Sequence, residues 1–150
     1  MIDPGSVPPV ANEELLARFV TQSGQYRRID NTVKQDLFIP NARREVSVMR
    51  HRDATEFEIW EVARSLAASL DRNLYGRSDI RAAACKVNGL RVVATPSLPT
   101  NPNHADILDW PADKEDQKAI AQQLAAAASK LMPPPSPAEG KSSMPNGLPS

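Results

Sequence analysis

The chain has 150 residues, with 18 Lys plus Arg against 18 Asp plus Glu, 14 prolines and one cysteine. This length is typical of one domain, and the neutral charge balance argues against a dedicated nucleic-acid binder, which usually has a basic excess. No apolar run approaches the roughly 20 residues that cross a bilayer. Nine of the prolines fall in residues 1–12 and 133–150, so we predict a disordered N-terminal arm over 1–12, one ordered domain over 13–132 and a disordered tail over 133–150.

The N-terminal residues and the single cysteine indicate the compartment. The first residues lack both the basic start and the apolar segment of a secretory signal, so we expect a cytoplasmic protein. Cys85 stands alone and therefore cannot form an intramolecular disulfide or a thiolate zinc cluster. Its alanine neighbours favour a buried side chain. We predict no metal site.

In the first third of the chain, the pattern predicts a helix and then a short strand. Asn12 can cap a helix with carboxylates in its first turn, an apolar stripe over residues 15–20, and Gly24 as its end. Residues 25–35 fit either a loop or a ragged edge strand. Residues 37–39 are apolar and run into Pro40, which suits the end of a strand near a sheet edge.

The clearest elements follow in the middle of the chain. Residues 44–50 alternate β-branched and polar side chains, which is typical of a strand. Asp53 and Glu56 have the spacing of a capping box, and the apolar residues between 57 and 70 recur at helical intervals. We expect this helix to be central to the core.

After this helix, the sequence predicts a short strand over 74–77, a helix over 80–87 capped by Ser78 or Asp79, and a strand over 90–95. Three consecutive alanines favour helix over strand in the middle segment. The alternative is a hairpin, because Asn88-Gly89 is both a helix stop and a strong two-residue turn signal.

The last third contains a loop over 97–103, a brief strand over 104–111, and a helix over 114–132 capped by Asp113. The alternation of strands and helices predicts an α/β (or α+β) domain, in which three main helices pack on a small mixed sheet. The domain contains no glycine-rich phosphate loop, so the sequence matches neither the dinucleotide-binding signature nor the P-loop signature. We predict no cofactor.

His104 is the first candidate for chemistry. It follows the Asn-Pro-Asn loop and shares a strand face with Asp106 if the segment is extended. In that arrangement His104 can act as a general acid or base and Asp106 can line the same site. The alternative is that His104 satisfies its ring nitrogens on the loop backbone and only shapes the turn.

A basic segment forms the second candidate. Arg50, His51 and Arg52, with two arginines shortly before them, lie where a strand runs into a capped helix. Such a cluster can bind phosphate or a carboxylate, and we take His51 as a candidate binding residue. The alternative is a solvated face balanced by neighbouring carboxylates.

Tyr75 and Arg77 form the third candidate. If the strands are parallel, Arg77 emerges at the same end of the sheet as Arg50, and together with Tyr75 and His104 these residues match the equipment of a metal-free phosphodiester-cleaving enzyme. The alternative is that Tyr75 lies in the core and Arg77 pairs with a nearby aspartate.

Trp110 is the last candidate. It precedes a proline within an acidic stretch, immediately before the last helix. It either anchors that helix by packing or, if exposed, provides a hot spot for partner binding.

Several segments taken in order resemble a group of small uncharacterised bacterial proteins. They are Arg50-His51-Arg52, Leu74-Tyr75-Gly76-Arg77, Gly89-Leu90-x-Val92, the NPNHADI segment from Asn101 to Ile107, and Trp110-Pro111-Ala112-Asp113-Lys114. The resemblance covers about residues 15–131. It implies a bacterial cytoplasmic protein of unknown function and assigns no catalytic residue.

Two functions fit these observations. The first is a non-enzymatic binding or accessory module that contacts a protein partner through the 96–110 loop. The second is a small metal-independent, nuclease-like enzyme on a phosphate-containing substrate, with His104 as acid or base, Arg50 and Arg77 stabilising charge, and Tyr75 positioning the substrate. The sequence does not decide whether the protein is an enzyme. Neither function involves a membrane.

Overall fold

The structure, a computed structural model, describes residues 7–97 and 99–136. It contains one five-stranded sheet in the order β3-β1-β2-β5-β4. The elements are β1 (Leu15–Val20), β2 (Val46–Arg50), α1 (Glu56–Ser69), β3 (Gly76–Arg81), α2 (Ala82–Val87), β4 (Arg91–Ala94), β5 (His104–Leu108) and α3 (Lys114–Ala127), with 3-10 turns at Ser23–Gln25 and Gln35–Phe38. The predicted single α/β domain with three helices on a small sheet is confirmed. The four strand pairings are all antiparallel, so the mixed sheet that the sequence predicts is wrong in this respect.

The helix predicted after Asn12 is wrong, because Leu15–Val20 forms β1. This strand pairs with β2 on one side and β3 on the other. Leu16 and Val20 enter the main core on one face of the sheet, and Ala17 enters a smaller cluster on the other face. A strand with both faces covered loses the alternation of apolar and polar residues. Its apolar spacing then imitates a helical stripe.

The strand predicted over 37–39 is also wrong. Gln35–Phe38 is a 3-10 turn in which Leu37 and Phe38 are fully buried. Both side chains belong to the same core cluster as Ala121 and Leu124 of α3. Leu37 and Phe38 are therefore buried because the 3-10 turn packs against α3. They are not part of a strand at a sheet edge.

The helix predicted in the middle of the chain is confirmed, but its cap lies two residues later than predicted. The Thr55 hydroxyl accepts a hydrogen bond from the Glu58 amide at 3.1 Å, and the Glu58 carboxylate accepts one from the Thr55 amide at 2.8 Å. Asp53 has a φ of 53° and so shapes the turn before the helix. A threonine and a glutamate at this spacing form the capping box proper.

The predicted strands β2, β4 and β5 are confirmed, and so are helices α2 and α3. Of the two alternatives for Asn88-Gly89, the helix stop is correct and the hairpin turn is wrong, since Gly89 has a φ of 82° just beyond the last residue of α2, Val87. β3 extends from Gly76 to Arg81, so Ser78 and Asp79 are strand residues and do not cap α2. α3 is capped by Asp113 as predicted and ends at Ala127.

The two faces of the sheet are covered to different extents. The main core lies on one face, with side chains from α2, α3, the second 3-10 turn and the N-terminal arm. On the other face, Ala17 of β1 and Met49 of β2 form a small cluster with Ile59 of α1. The expectation that α1 is central to the core is therefore wrong. We call the two sides the closed face and the α1 face.

The parts of both chain ends that the structure describes pack on the domain. Val10 is buried in the main core, and Arg50 holds the carbonyls of Pro8 and Pro9. Residues 7–12 are therefore packed on the domain, although disorder is predicted for them. At the other end, the Pro135 carbonyl accepts a hydrogen bond from Arg64 at 2.7 Å. Residues 1–6 and 137–150, where disorder is also predicted, lie outside the described residues.

Candidate functional site

The strand register separates two of the predicted catalytic residues. Arg50 stands opposite Leu16, and Arg77 stands opposite Phe19. Residues directly opposite each other share a face, and successive residues alternate between faces. Arg50 consequently lies on the closed face and Arg77 on the α1 face. The structure does not bring the two arginines together.

Arg50 is a structural anchor. Its side chain is 1% exposed and donates to both carboxylate oxygens of Glu14, each at 2.8 Å. Its remaining donors reach the carbonyls of Pro8 at 2.8 Å and Pro9 at 3.3 Å. The hydrogen bond from Arg50 lowers the pKa of Glu14. The guanidinium is therefore fully used in holding the N-terminal arm against the sheet.

Arg77 is similarly occupied, on the other face. It makes two hydrogen bonds of 2.9 Å to Glu56 and an ion pair of 3.2 Å with Asp79, and its guanidinium lies 5.1 Å from the centre of the Trp60 ring. His51 joins this cluster, with Nε2 3.0 Å from Oδ1 of Asp79. These contacts tie the start of α1 to β3. They agree with the structural alternative for Arg77.

Tyr75 and Trp110 also have structural roles in the described chain. Tyr75 packs against the main core, and its ring lies 5.7 Å from that of Tyr26. Trp110 is 3% exposed and donates from Nε1 to the Ile107 carbonyl at 3.1 Å. This burial agrees with the anchoring interpretation of Trp110 and leaves no exposed indole for a partner.

His104 and Asp106 are brought together, but through a third residue. Both lie on the α1 face of β5, since His104 stands opposite Met49 and Asp106 opposite Ser47. The Thr95 hydroxyl lies 2.8 Å from His104 Nδ1 and donates to Asp106 Oδ2 at 3.0 Å. Thr95 thus links the imidazole to the carboxylate.

This chain of hydrogen bonds assigns the tautomer of His104. Because the Thr95 hydroxyl gives its proton to Asp106, its oxygen is the acceptor toward the ring. The Thr95 carbonyl, 3.1 Å away, is a second acceptor for the same Nδ1–H. In this tautomer Nε2 carries the lone pair of the ring. It makes no hydrogen bond to any described residue. The imidazole is held from one side and available on the other.

A groove runs between α1 and the loop before β5, and we call it the α1 groove. It consists of two adjoining cavities of about 470 and 460 Å³ that share Glu61, Val62 and Thr100. Arg52 and Asn103 line the cavity near the start of α1. Leu66 and His104 line the cavity nearer its end. A larger cavity of about 590 Å³, beside α3, includes none of the predicted site residues.

The groove has an acidic wall and one unusual cation. Asp53, Glu58 and Glu61 line the cavity near the start of α1. Arg52 lines the same cavity, and its Nε and Nη1 atoms are buried without a hydrogen-bond partner. Sequence reasoning included Arg52 in the basic segment but missed its lack of partners. It also missed Thr95, which reaches His104 only through the pairing of β4 with β5.

Metal ligands, the cysteine and the helices are the remaining features that bear on function in the part of the chain that the structure describes. Residues 7–97 and 99–136 contain no group of three or more His, Cys, Asp or Glu side chains that could hold a metal ion. Cys85 is fully buried, and burial raises the pKa of its thiol to about 12. Among the described helices, none has the length and apolar character needed to cross a membrane.

Comparison with protein-family models, with curated proteins and with solved structures finds no significant match to this chain.

Proposed function

We propose that this chain is a non-enzymatic binding module that holds a segment of a partner protein in the α1 groove, using the loop before β5 as one wall. The observation that carries the proposal is an apolar stripe beside the groove. Leu66 is 38% exposed, and Leu70, which follows four residues later on the same side of the helix, is 44% exposed. An exposed apolar stripe beside a concave surface is typical of a recognition site.

The dimensions of the groove suit an extended segment of chain. α1 has 14 residues and, at about 1.5 Å per residue, is roughly 21 Å long. An extended chain rises about 3.3 Å per residue, so about six residues match this length. The acidic wall complements a segment that carries basic as well as apolar side chains.

The loop wall is held in place by its own hydrogen bonds. Ser97 and Asn101 exchange backbone hydrogen bonds of 2.9 and 2.6 Å. The Asn103 side-chain amide donates to the Arg52 carbonyl, which ties the loop to the turn before α1. Ser97, Asn101 and Asn103, which these bonds already hold, lose less conformational entropy when a partner binds.

The test compares two substitutions of exposed apolar residues in affinity capture from cells of the source organism. Leu66→Asp places a charge on the apolar stripe and should abolish retention of the partner that the wild type retains. Ile29→Asp is the control, because Ile29 is 92% exposed and does not line the groove. The proposal fails if both variants retain the same partner, or if both lose it while remaining folded.

The hydrogen-bond chain from His104 to Asp106 favours a second candidate function, a metal-independent enzyme acting on a phosphate-containing substrate. Here Nε2 of His104 is the acid or base. Arg50 takes no part because it lies on the closed face, and Arg77 takes no part because its terminal nitrogens are bonded to Glu56. A bis(p-nitrophenyl) phosphate assay tests it. Turnover should disappear in His104→Ala, and its dependence on pH should change in Thr95→Val. Equal turnover in wild type and His104→Ala would rule this candidate out.

A further inference from the structure

Arg52 is partly exposed, and its guanidinium has fewer partners than those of three other arginines with little or partial exposure. Arg18 donates to the carbonyls of Leu37 and Ser47, and Arg50 and Arg77 each bind a carboxylate. The guanidinium of Arg52 forms no hydrogen bond or ion pair with any described residue, although its Nε and Nη1 are shielded from solvent. Shielded nitrogens without an acceptor are unfavourable, so this partly exposed guanidinium favours an acceptor from outside the described chain.

The carboxylates around Arg52 do not supply that acceptor. Arg52 helps to lower the pKa of Glu14 only as the last of several causes, and both oxygens of Glu14 are already bonded by Arg50. Glu58 accepts from the Thr55 amide in the helix cap. Asp53 and Glu61 line the cavity without pairing with Arg52. Nη2, the guanidinium nitrogen that is not shielded from solvent, therefore remains available to a ligand.

The surroundings of Arg52 select the kind of anion. Four apolar residues line the same cavity, namely Met49, Ala54, Val62 and Pro102. They suit an anion attached to an apolar group. The three carboxylates of the acidic wall oppose a multiply charged anion such as inorganic phosphate, whereas they favour a ligand that also carries positive charge.

We propose that Arg52 binds the C-terminal carboxylate of the partner protein, whose last side chain is apolar and is preceded by basic residues. This inference rests on the proposed function and specifies which part of the partner enters the groove. The carboxylate pairs with Arg52, the final side chain packs between Met49 and Val62, and a basic side chain reaches Glu61. Capture of a chain terminus by a charge-assisted hydrogen bond is a known mode of peptide recognition.

The experiment measures peptide binding to the full chain by isothermal titration calorimetry. The probe is acetyl-Lys-Lys-Ala-Leu with a free carboxylate, and the comparison is the same peptide with a C-terminal amide. We expect the free acid to bind wild type at least about tenfold more tightly than the amide, as a charge-assisted hydrogen bond requires. In Arg52→Gln the preference should vanish, and in Arg43→Gln, which changes an exposed arginine outside the groove, it should persist.

Three results would overturn the proposal: equal affinity for acid and amide, a preference that persists in Arg52→Gln, or no binding of the acid at millimolar concentration. Inorganic phosphate that displaces the peptide more effectively than hexanoate would also overturn it, in favour of a phosphate site. Circular dichroism melting of Arg52→Gln checks that the variant is folded.

Partner capture separates failure of this inference from failure of the proposed function. If Leu66→Asp loses the partner and Arg52→Gln retains it fully, the groove binds the partner but the role of Arg52 is wrong. If neither substitution affects capture, both proposals are wrong. Loss of the partner in both variants supports both.

Discussion

Arg50 on the closed face and Arg52 in the α1 groove have opposite surroundings. On the closed face, Arg50 is enclosed by a carboxylate and two carbonyls, and it fastens the N-terminal arm over the main core. On the α1 face, the groove contains Arg52, whose buried nitrogens have no acceptor. Burial alone therefore does not distinguish a structural cation from a binding cation. The difference lies in whether the fold itself provides the acceptors.

The largest effect is expected from Arg50→Met, which removes the anchor of the closed face. The substitution leaves the partly buried Glu14 carboxylate and the Pro8 and Pro9 carbonyls without their donor. Breaking a fully buried ion pair from one side costs about 3–5 kcal/mol, so we expect about 3 kcal/mol for this partly buried pair. Urea denaturation should show a loss of that size in the free energy of unfolding. Arg52→Gln, measured in parallel, should cost less than about 1 kcal/mol because it breaks no contact, and a similar loss in both would remove the contrast between the two arginines.

The next effect concerns Gly76, at the start of β3. Its φ is 154°, and a Cβ there would meet the Met132 carbonyl oxygen and lie 2.9 Å from Cδ1 of Leu131. Gly76→Ala should therefore lower the free energy of unfolding by about 2–3 kcal/mol through overpacking and backbone strain. Gly24→Ala is the matched control, since a Cβ at Gly24 meets nothing within 4 Å. Equal melting temperatures for both variants would show that residues 131 and 132 do not close the edge of β3.

The third effect is a dependence of stability on pH through Glu14. Its pKa lies below the ordinary value of 4.5 because of the hydrogen bond from Arg50. A carboxyl with a lowered pKa in the folded state contributes its full stabilisation above its ordinary pKa and loses it as the pH falls through the folded pKa. The difference in unfolding free energy between wild type and Glu14→Gln should therefore be full at pH 6 and shrink below pH 4.5. A difference that stays constant down to pH 2 would contradict the pairing.

The smallest effect is expected on the α1 face. Leu66 is 38% exposed, so Leu66→Ser gives up only part of the burial of a leucine and should lower the free energy of unfolding by about 1 kcal/mol. Chemical denaturation measures this directly. A loss above about 2 kcal/mol would mean that Leu66 belongs to the core, and the apolar stripe would then be too well packed to serve as a docking surface.

Local signals in the sequence predicted the elements that depend on local interactions. The capping residue Asp113, the helical spacing of α1 and the Asn88-Gly89 stop each act within a few residues, and these predictions hold within a turn of helix. β1 was not predictable in this way, because its apolar pattern follows from coverage on both faces by segments distant in the sequence.

The candidate site depends on still longer-range information. His104 was identified from the sequence, but Thr95 enters only through the register of β4 and β5. The prediction that Arg50 and Arg77 meet is wrong because the strand register places them on opposite faces of the sheet. Composition and periodicity do not reveal that register. Arg52 could be recognised as basic from the sequence. Its lack of partners is a property of the folded chain alone.

The most direct test of the account is a map of backbone-amide chemical shifts while the free-acid peptide is titrated into the labelled full chain. We expect shifts confined to residues around the α1 groove, with Arg52, Val62 and Asn103 among them, and none at Ala121 or Leu124 behind the closed face. We also expect these shifts to disappear in Arg52→Gln. Shifts centred on α3, or shifts around the groove that are unchanged in Arg52→Gln, would contradict it.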